Sequence, residues 1–97
     1  MWILQTSRPD TALLKFRLPA GSVKTIGRAP RADFIVDAGL VSRLHCRIEA
    51  KGDALEVHDL SSTNGTYVNG KRVKRARLAS GDLLRVGRVE LIVEKQR

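Results

Sequence analysis

Apolar and polar residues alternate over short segments almost throughout the chain. In "LLKFRL", Leu14, Phe16 and Leu18 fall on one side and Lys15 and Arg17 on the other. "LHCRIEA" sets Leu44, Cys46, Ile48 and Ala50 against His45, Arg47 and Glu49. "ALEVHD" sets Leu55 and Val57 against Glu56 and His58, and "RVELIVE" sets Val89, Leu91 and Val93 against Arg88, Glu90 and Glu94. Successive side chains of a strand point to opposite faces, so a period of two predicts half-buried strands. No stretch carries a helical stripe of useful length.

The interruptions agree. Pro19-Ala20-Gly21, Ala29-Pro30, Lys51-Gly52-Asp53, Asn64-Gly65, Asn69-Gly70 and Ser80-Gly81-Asp82 break the chain at roughly ten-residue intervals, the spacing of a sandwich or barrel. Asn69-Gly70, between "TYV" and "KRV", predicts a two-residue hairpin. A type I′ turn needs positive φ at both positions, which Asn then Gly tolerate best. Two antiparallel sheets packed face to face would bury the aliphatic sides. The ends, "MWILQ" and "ELIVEKQR", are both strand-like. Their pairing would leave the loops at the far end free for function.

Composition narrows this picture. The chain has 97 residues, the size of one domain, and 42% of them are apolar, enough for a packed interior. Only Trp2, Phe16, Phe34 and Tyr67 are aromatic, so the core must be aliphatic. No apolar run approaches the ~20 residues that span a bilayer. The start lacks the basic flank and long apolar stretch of a secretory signal. Cys46 is the sole cysteine, which excludes an internal disulfide and suits a reducing compartment. The formal net charge of +8 favours an anionic partner: nucleic acid, a membrane surface, an acidic peptide or a phosphopeptide.

Catalysis fits the sequence poorly. Ser42, Ser61, Ser62, Thr63 and Cys46 are the nucleophile candidates and His45 and His58 the bases. Closeness of Ser42 and His45 in one segment does not make an oriented triad. His45 and Cys46, as neighbours on a strand, diverge and make a poor metal pair. The expectation is a protein without enzymatic activity, cofactor or metal.

Phosphate chemistry fits better. Gly27-Arg28 closes a strand-like segment with a guanidinium, and Ser42-Arg43 adds a hydroxyl and a second guanidinium. Ser61, Ser62, Thr63 and Asn64 add neutral donors, with Gly65 permitting a tight bend. The planar fork of arginine matches phosphate oxygens, and charge-assisted bonds are the strong ones. Singly, each element has an ordinary reading as a bulge, a solvated charge or a turn.

Their order is more specific. "TIGRAPRADFIVD", "LVSRLHC", "DLSSTNGTYVNG" and "LASGDLLRVG" together resemble the forkhead-associated (FHA) domain, from about Val23 to the C-terminus. The resemblance implies an all-β, eleven-stranded antiparallel sandwich of the SMAD/FHA type, a single domain over 1–97 that is a piece of a larger protein. It implies loops at one end that bind phosphothreonine in an extended peptide. Arg28, Ser42, Arg43 and Thr63 would contact phosphate, and Asn64 the peptide main chain. Gly27, His45 and Gly65 would be architectural. The residues before Ser42, Leu40 and Val41, would meet the third residue after the phosphothreonine and hint at an apolar one. The expected partner is a phosphothreonine protein, engaged by a monomer in signalling. A slight likeness of Met1–Leu4 to nibrin-type DNA-repair subunits adds a DNA-damage role and a nuclear setting as expectations. The rival reading is nucleic-acid binding through "GKRVKRARL", where Lys71, Arg72, Lys74, Arg75 and Arg77 cluster. A purely structural or oligomerisation domain is the other.

Overall fold

The computed structural model describes residues 1–8 and 13–96. Eleven strands follow one another: β1 (Trp2–Thr6), β2 (Lys15–Leu18), β3 (Val23–Gly27), β4 (Phe34–Ile35), β5 (Cys46–Lys51), β6 (Ala54–Asp59), β7 (Thr66–Val68), β8 (Lys71–Val73), β9 (Arg75–Leu78), β10 (Leu83–Val86) and β11 (Val89–Lys95). They form a six-stranded sheet ordered β2-β1-β11-β10-β7-β8 and a five-stranded sheet ordered β4-β3-β5-β6-β9. No helix occurs among the described residues.

The faces follow the alternation. Leu55, Val57, Leu91 and Val93 are fully buried, as are Cys46 and Ile48. With Leu4, Leu18, Ile26, Leu84 and Val86 they form one aliphatic core between the sheets. Burying each Leu or Ile contributes about 1.5–3 kcal/mol before chain entropy is counted. Phe16 on β2 and Phe34 on β4 stack across the gap between the two sheets' edges, with centroids 4.5 Å apart. On the other side the chain itself closes the gap, crossing from β8 to β9 through Lys74.

Two expectations are refined. The sandwich is not wholly antiparallel: β4 runs parallel to β3, with Ile26 opposite Phe34. The chain returns through residues 28–33, and Asp33 fastens the return. Its carboxylate accepts the Thr25 N–H at 2.9 Å, and its own N–H donates to Thr25 Oγ1 at 3.1 Å. His45 does not belong to the polar face of a strand. It lies just before β5 and is fully buried.

The predicted hairpin is present. Asn69 and Gly70 have φ of 51° and 83°, and Val68 pairs with Lys71. The ends pair too, with Trp2 opposite Lys95. β11 therefore begins beside the Leu40–Val41 segment, which crowds Gly87, and ends beside the N-terminus, where Gln96 N–H donates to the Met1 carbonyl at 2.8 Å. Seven strand residues at ~3.3 Å each separate these two poles.

Candidate functional site

Three loops meet at the pole opposite the chain ends: residues 28–33 after β3, 36–45 before β5, and 60–65 between β6 and β7. Beyond the last β3–β5 register pair, the backbone pairing continues loosely. His45 N–H donates to the Ile26 carbonyl, Arg28 N–H to Ser42 and Ala29 N–H to Arg43. Gly27 makes this approach possible, because a Cβ there would overlap the Arg43 carbonyl oxygen.

The buried His45 ring joins two of the loops. Its Nδ1 accepts the Ser42 N–H at 3.0 Å and its Nε2 faces the Gly65 carbonyl at 2.8 Å. Since a backbone N–H can only donate, Nδ1 carries no proton and Nε2 does. Both ring nitrogens are thus engaged, which fixes the tautomer and makes the ring a brace between the loops. Gly65 itself has φ of 88°. Its N–H donates to the Ser62 hydroxyl at 3.0 Å.

The donors left over point outward. Ser42 Oγ accepts the Thr63 N–H at 3.0 Å, which leaves its own O–H to donate. Arg28 uses Nε on the Val41 carbonyl at 3.1 Å, which orients the guanidinium and leaves the terminal N–H groups. Asn64 Nδ2 donates to the Leu40 carbonyl at 3.0 Å, leaving Oδ1 as an acceptor and one further N–H. Arg28, Arg43, Thr63 and Asn64 are all exposed. Arg28, Ser42, Thr63 and Asn64 thus stand on loops tied directly to one another.

Asp59 was not singled out in the sequence, yet it organises the third loop. Its carboxylate accepts the Ser62 hydroxyl at 2.5 Å, the Thr66 hydroxyl at 2.7 Å and the Ser62 N–H at 3.1 Å. Burial pushes the Asp59 carboxyl up, but these hydrogen bonds outweigh it and hold the group below the usual carboxylate range. Asp59-x-x-Ser62 is a turn pattern in which a carboxylate caps nearby backbone, and it was the signal available. Ser62, expected among the outward donors, is buried and faces inward. Val41 also turns into the core at 2% exposure, so it cannot meet a ligand side chain. Leu40, with φ of 71° and half its surface exposed, does line an apolar groove of about 430 Å³ with Ala38, Gly39, Arg88 and Val89. Burial, with the nearby Asp59 charge, pushes the Cys46 thiol far up and leaves it inert.

A two-sheet sandwich that gathers arginine, hydroxyl and amide groups on tied loops at one pole is a ligand-binding module. The chain belongs to the FHA domain family, whose sequence profile matches residues 24–87. It is 37% identical over 90 residues to the glycogen accumulation regulator GarA of Mycobacterium tuberculosis, covering 93% of this chain and 55% of GarA. It superposes on the FhaA FHA domain solved in complex with the intracellular domain of Rv3910, with a TM-score of 0.86 and 36% identity over 97% of this chain and all of that one. A chain from a structural and functional study of phosphothreonine-dependent FHA domain interactions matches with a TM-score of 0.88 and 35% identity, covering 99% and 97% of the two chains.

The chain spans about half or less of the length of the curated relatives it matches, from 9% to 55% among those of M. tuberculosis. None of these relatives supports the likeness to nibrin-type DNA-repair subunits. Trp2, Ile3 and Leu4 are buried in β1, at 4%, 2% and 0% exposure, so packing alone accounts for an apolar start.

Proposed function

We propose that the chain is a non-enzymatic binding module that recognises phosphothreonine in an extended peptide and so recruits phosphorylated proteins. The observation that carries this reading is the direct tie between Arg28, Ser42 and the Thr63–Asn64 segment: Arg28 N–H to the Ser42 carbonyl, and Thr63 N–H to Ser42 Oγ, both at 3.0 Å. A guanidinium and a free hydroxyl proton stand together there, suited to a group carrying about −1.5 to −2 charges at neutral pH. Arg28 and Ser42 bind phosphate oxygens, with Arg43 and Thr63 assisting. Asn64, with Oδ1 and an N–H still available, pairs with the peptide backbone, which carries no charge. Binding then depends on modification and extended shape together. The groove at Leu40 takes an apolar side chain further along the peptide. The FhaA complex and the phosphothreonine-dependent interactions of the related domain support the same class of ligand.

The relatives give no support to a DNA-damage role, a nucleus or nucleic acid as the main partner, and the setting we favour is the inside of a cell, where ATP-dependent kinases make phosphothreonine. The test compares one peptide carrying phosphothreonine, phosphoserine or plain threonine. The threonine γ-methyl, if buried, is worth about 0.8 kcal/mol, so phosphothreonine should exceed phosphoserine by at least about fourfold. Arg28→Ala removes a charge-assisted bond and should weaken binding by about tenfold or more while the melting temperature holds. Equal affinity for all three peptides, or unchanged affinity in Arg28→Ala, would overturn the reading.

A further inference from the structure

We propose that the basic edge formed by Arg72, Lys74, Arg75 and Arg77 receives an acidic stretch of the same polypeptide that presents the phosphothreonine, an inference that rests on the phosphothreonine reading above. β8 is the outermost strand of one sheet and β9 the outermost strand of the other, and Lys74 is the link between them. The four cations therefore share one lateral edge of the sandwich, with Arg72 on the outer row of one sheet, Arg75 and Arg77 on the outer row of the other, and Lys74 at the crossing between them.

This edge is fastened to both ends of the 59–65 loop. At one end, the Lys74 carbonyl accepts the Asp59 N–H at 2.8 Å. At the other, Arg72 lies over Gly65, where a built Cβ would come within 2.6 Å of its Nε. The missing side chain of Gly65 thus seats Arg72 one residue from Asn64. A peptide leaving Asn64 in extended form advances ~3.3 Å per residue, so its next few side chains come level with Arg72, Lys74 and Arg75.

The charges are largely uncompensated. All four residues are exposed. Arg75 pairs with Glu56 at 3.3 Å and is still 67% exposed. Among the described residues Arg72, Lys74 and Arg77 have no acidic partner. Like charges in a row repel, and carboxylates brought by a ligand relieve that repulsion. A peptide suits the edge better than nucleic acid because the edge offers bases no open ring to stack on. The Tyr67 ring carries the Arg85 guanidinium 4.0 Å from its centroid, Trp2 is buried, and Phe16 and Phe34 stack on each other at the opposite edges of the sheets.

The test uses phosphothreonine peptides of equal length with neutral flanks, with three Asp before the phosphothreonine, or with three Asp after it. Titration calorimetry compares the unaltered chain with the variant Arg72→Gln/Lys74→Gln/Arg75→Gln. One acid-flanked peptide should bind the unaltered chain about fivefold or more tighter than the neutral one. That advantage should vanish in the variant and shrink between about 0.05 and about 0.5 M salt. The neutral peptide should lose much less affinity in the variant than the acid-flanked one, and a thermal melt reports that the variant is folded. An advantage that survives in the variant, or no advantage from either flank, overturns the proposal. Failure of every phosphopeptide to exceed its unphosphorylated form instead overturns the phosphothreonine reading, and this proposal falls with it. A DNA oligonucleotide that displaces the acid-flanked peptide from the unaltered chain, and no longer binds the variant, would assign the edge to nucleic acid and overturn the proposal.

Discussion

At the scale of single residues, the site depends on groups that never reach a ligand. The His45 ring satisfies the Ser42 N–H and the Gly65 carbonyl at once and is itself fully buried. His45→Ala strands both groups and opens a cavity, and we expect a loss of about 2–4 kcal/mol in a urea melt. Phosphopeptide affinity should fall in the same variant under conditions where it remains folded, because Ser42 and Gly65 lose their common anchor. Some of this was legible in advance. The family resemblance marked His45 as architectural, while the alternation alone put it on a polar strand face. A period-two pattern assumes that the strand has already begun, and here β5 begins one residue later. Val41 and Ser62 misled for a related reason. Both sit in loops, where neither side-chain direction nor burial follows from a period.

At the scale of elements, the strands were easier to read than the loops. The aliphatic faces of β5, β6 and β11, the turn at Asn69-Gly70 and the pairing of β1 with β11 all follow from alternation and turn chemistry. Asn69 does more than turn the chain. Its side-chain Oδ1 accepts the Leu83 N–H at 2.9 Å and its Nδ2 donates to Asp82 at 3.0 Å, a long-range role invisible in a dipeptide. The parallel course of β4 was equally hidden, since it depends on Asp33 finding Thr25. For the 59–65 loop, the carboxylate of Asp59 is the organising group, and it makes a pH prediction. A carboxyl held below its ordinary value stabilises the fold above about pH 4, and that contribution is lost as pH falls through the lowered value. Stability should therefore hold from neutrality to about pH 4 and then decline. Asp33, held low by the Thr25 N–H and hydroxyl, and Glu49, held low by Lys51, contribute to the same decline. Asp59→Asn should be less stable than the unaltered chain at pH 7, and the gap between them should narrow below about pH 4 in parallel thermal melts. A gap of constant size across that range would mean that the charge of Asp59 does not organise the loop.

At the scale of the whole molecule, the first and last strands lie side by side in the interior of one sheet. β1 lies between β2 and β11, so it is an interior strand of its sheet. Trp2, Ile3 and Leu4 together bury roughly 5–9 kcal/mol worth of apolar surface, comparable to the entire 5–15 kcal/mol stability of a domain. Removing residues 1–6 should therefore abolish cooperative unfolding and the dispersed amide spectrum of the folded state, although the FHA profile itself starts only at residue 24. A dispersed spectrum from the shortened chain would show that β11 and β2 can close the sheet without β1. Net charge was the one bulk property that pointed towards function, yet it said nothing of where the cations lie. Only the crossing from β8 to β9 places them beside the loop that holds Asn64.

The adjacency of Met1 and Gln96 has a further consequence. Both ends lie at one pole, a full strand length from the candidate binding loops. A body wired in this way can be grafted into a surface loop of an unrelated host, or joined to it by either end, with its recognition face still turned outward. What the host does, and how its own architecture moves, then passes to the grafted unit through a single narrow stem.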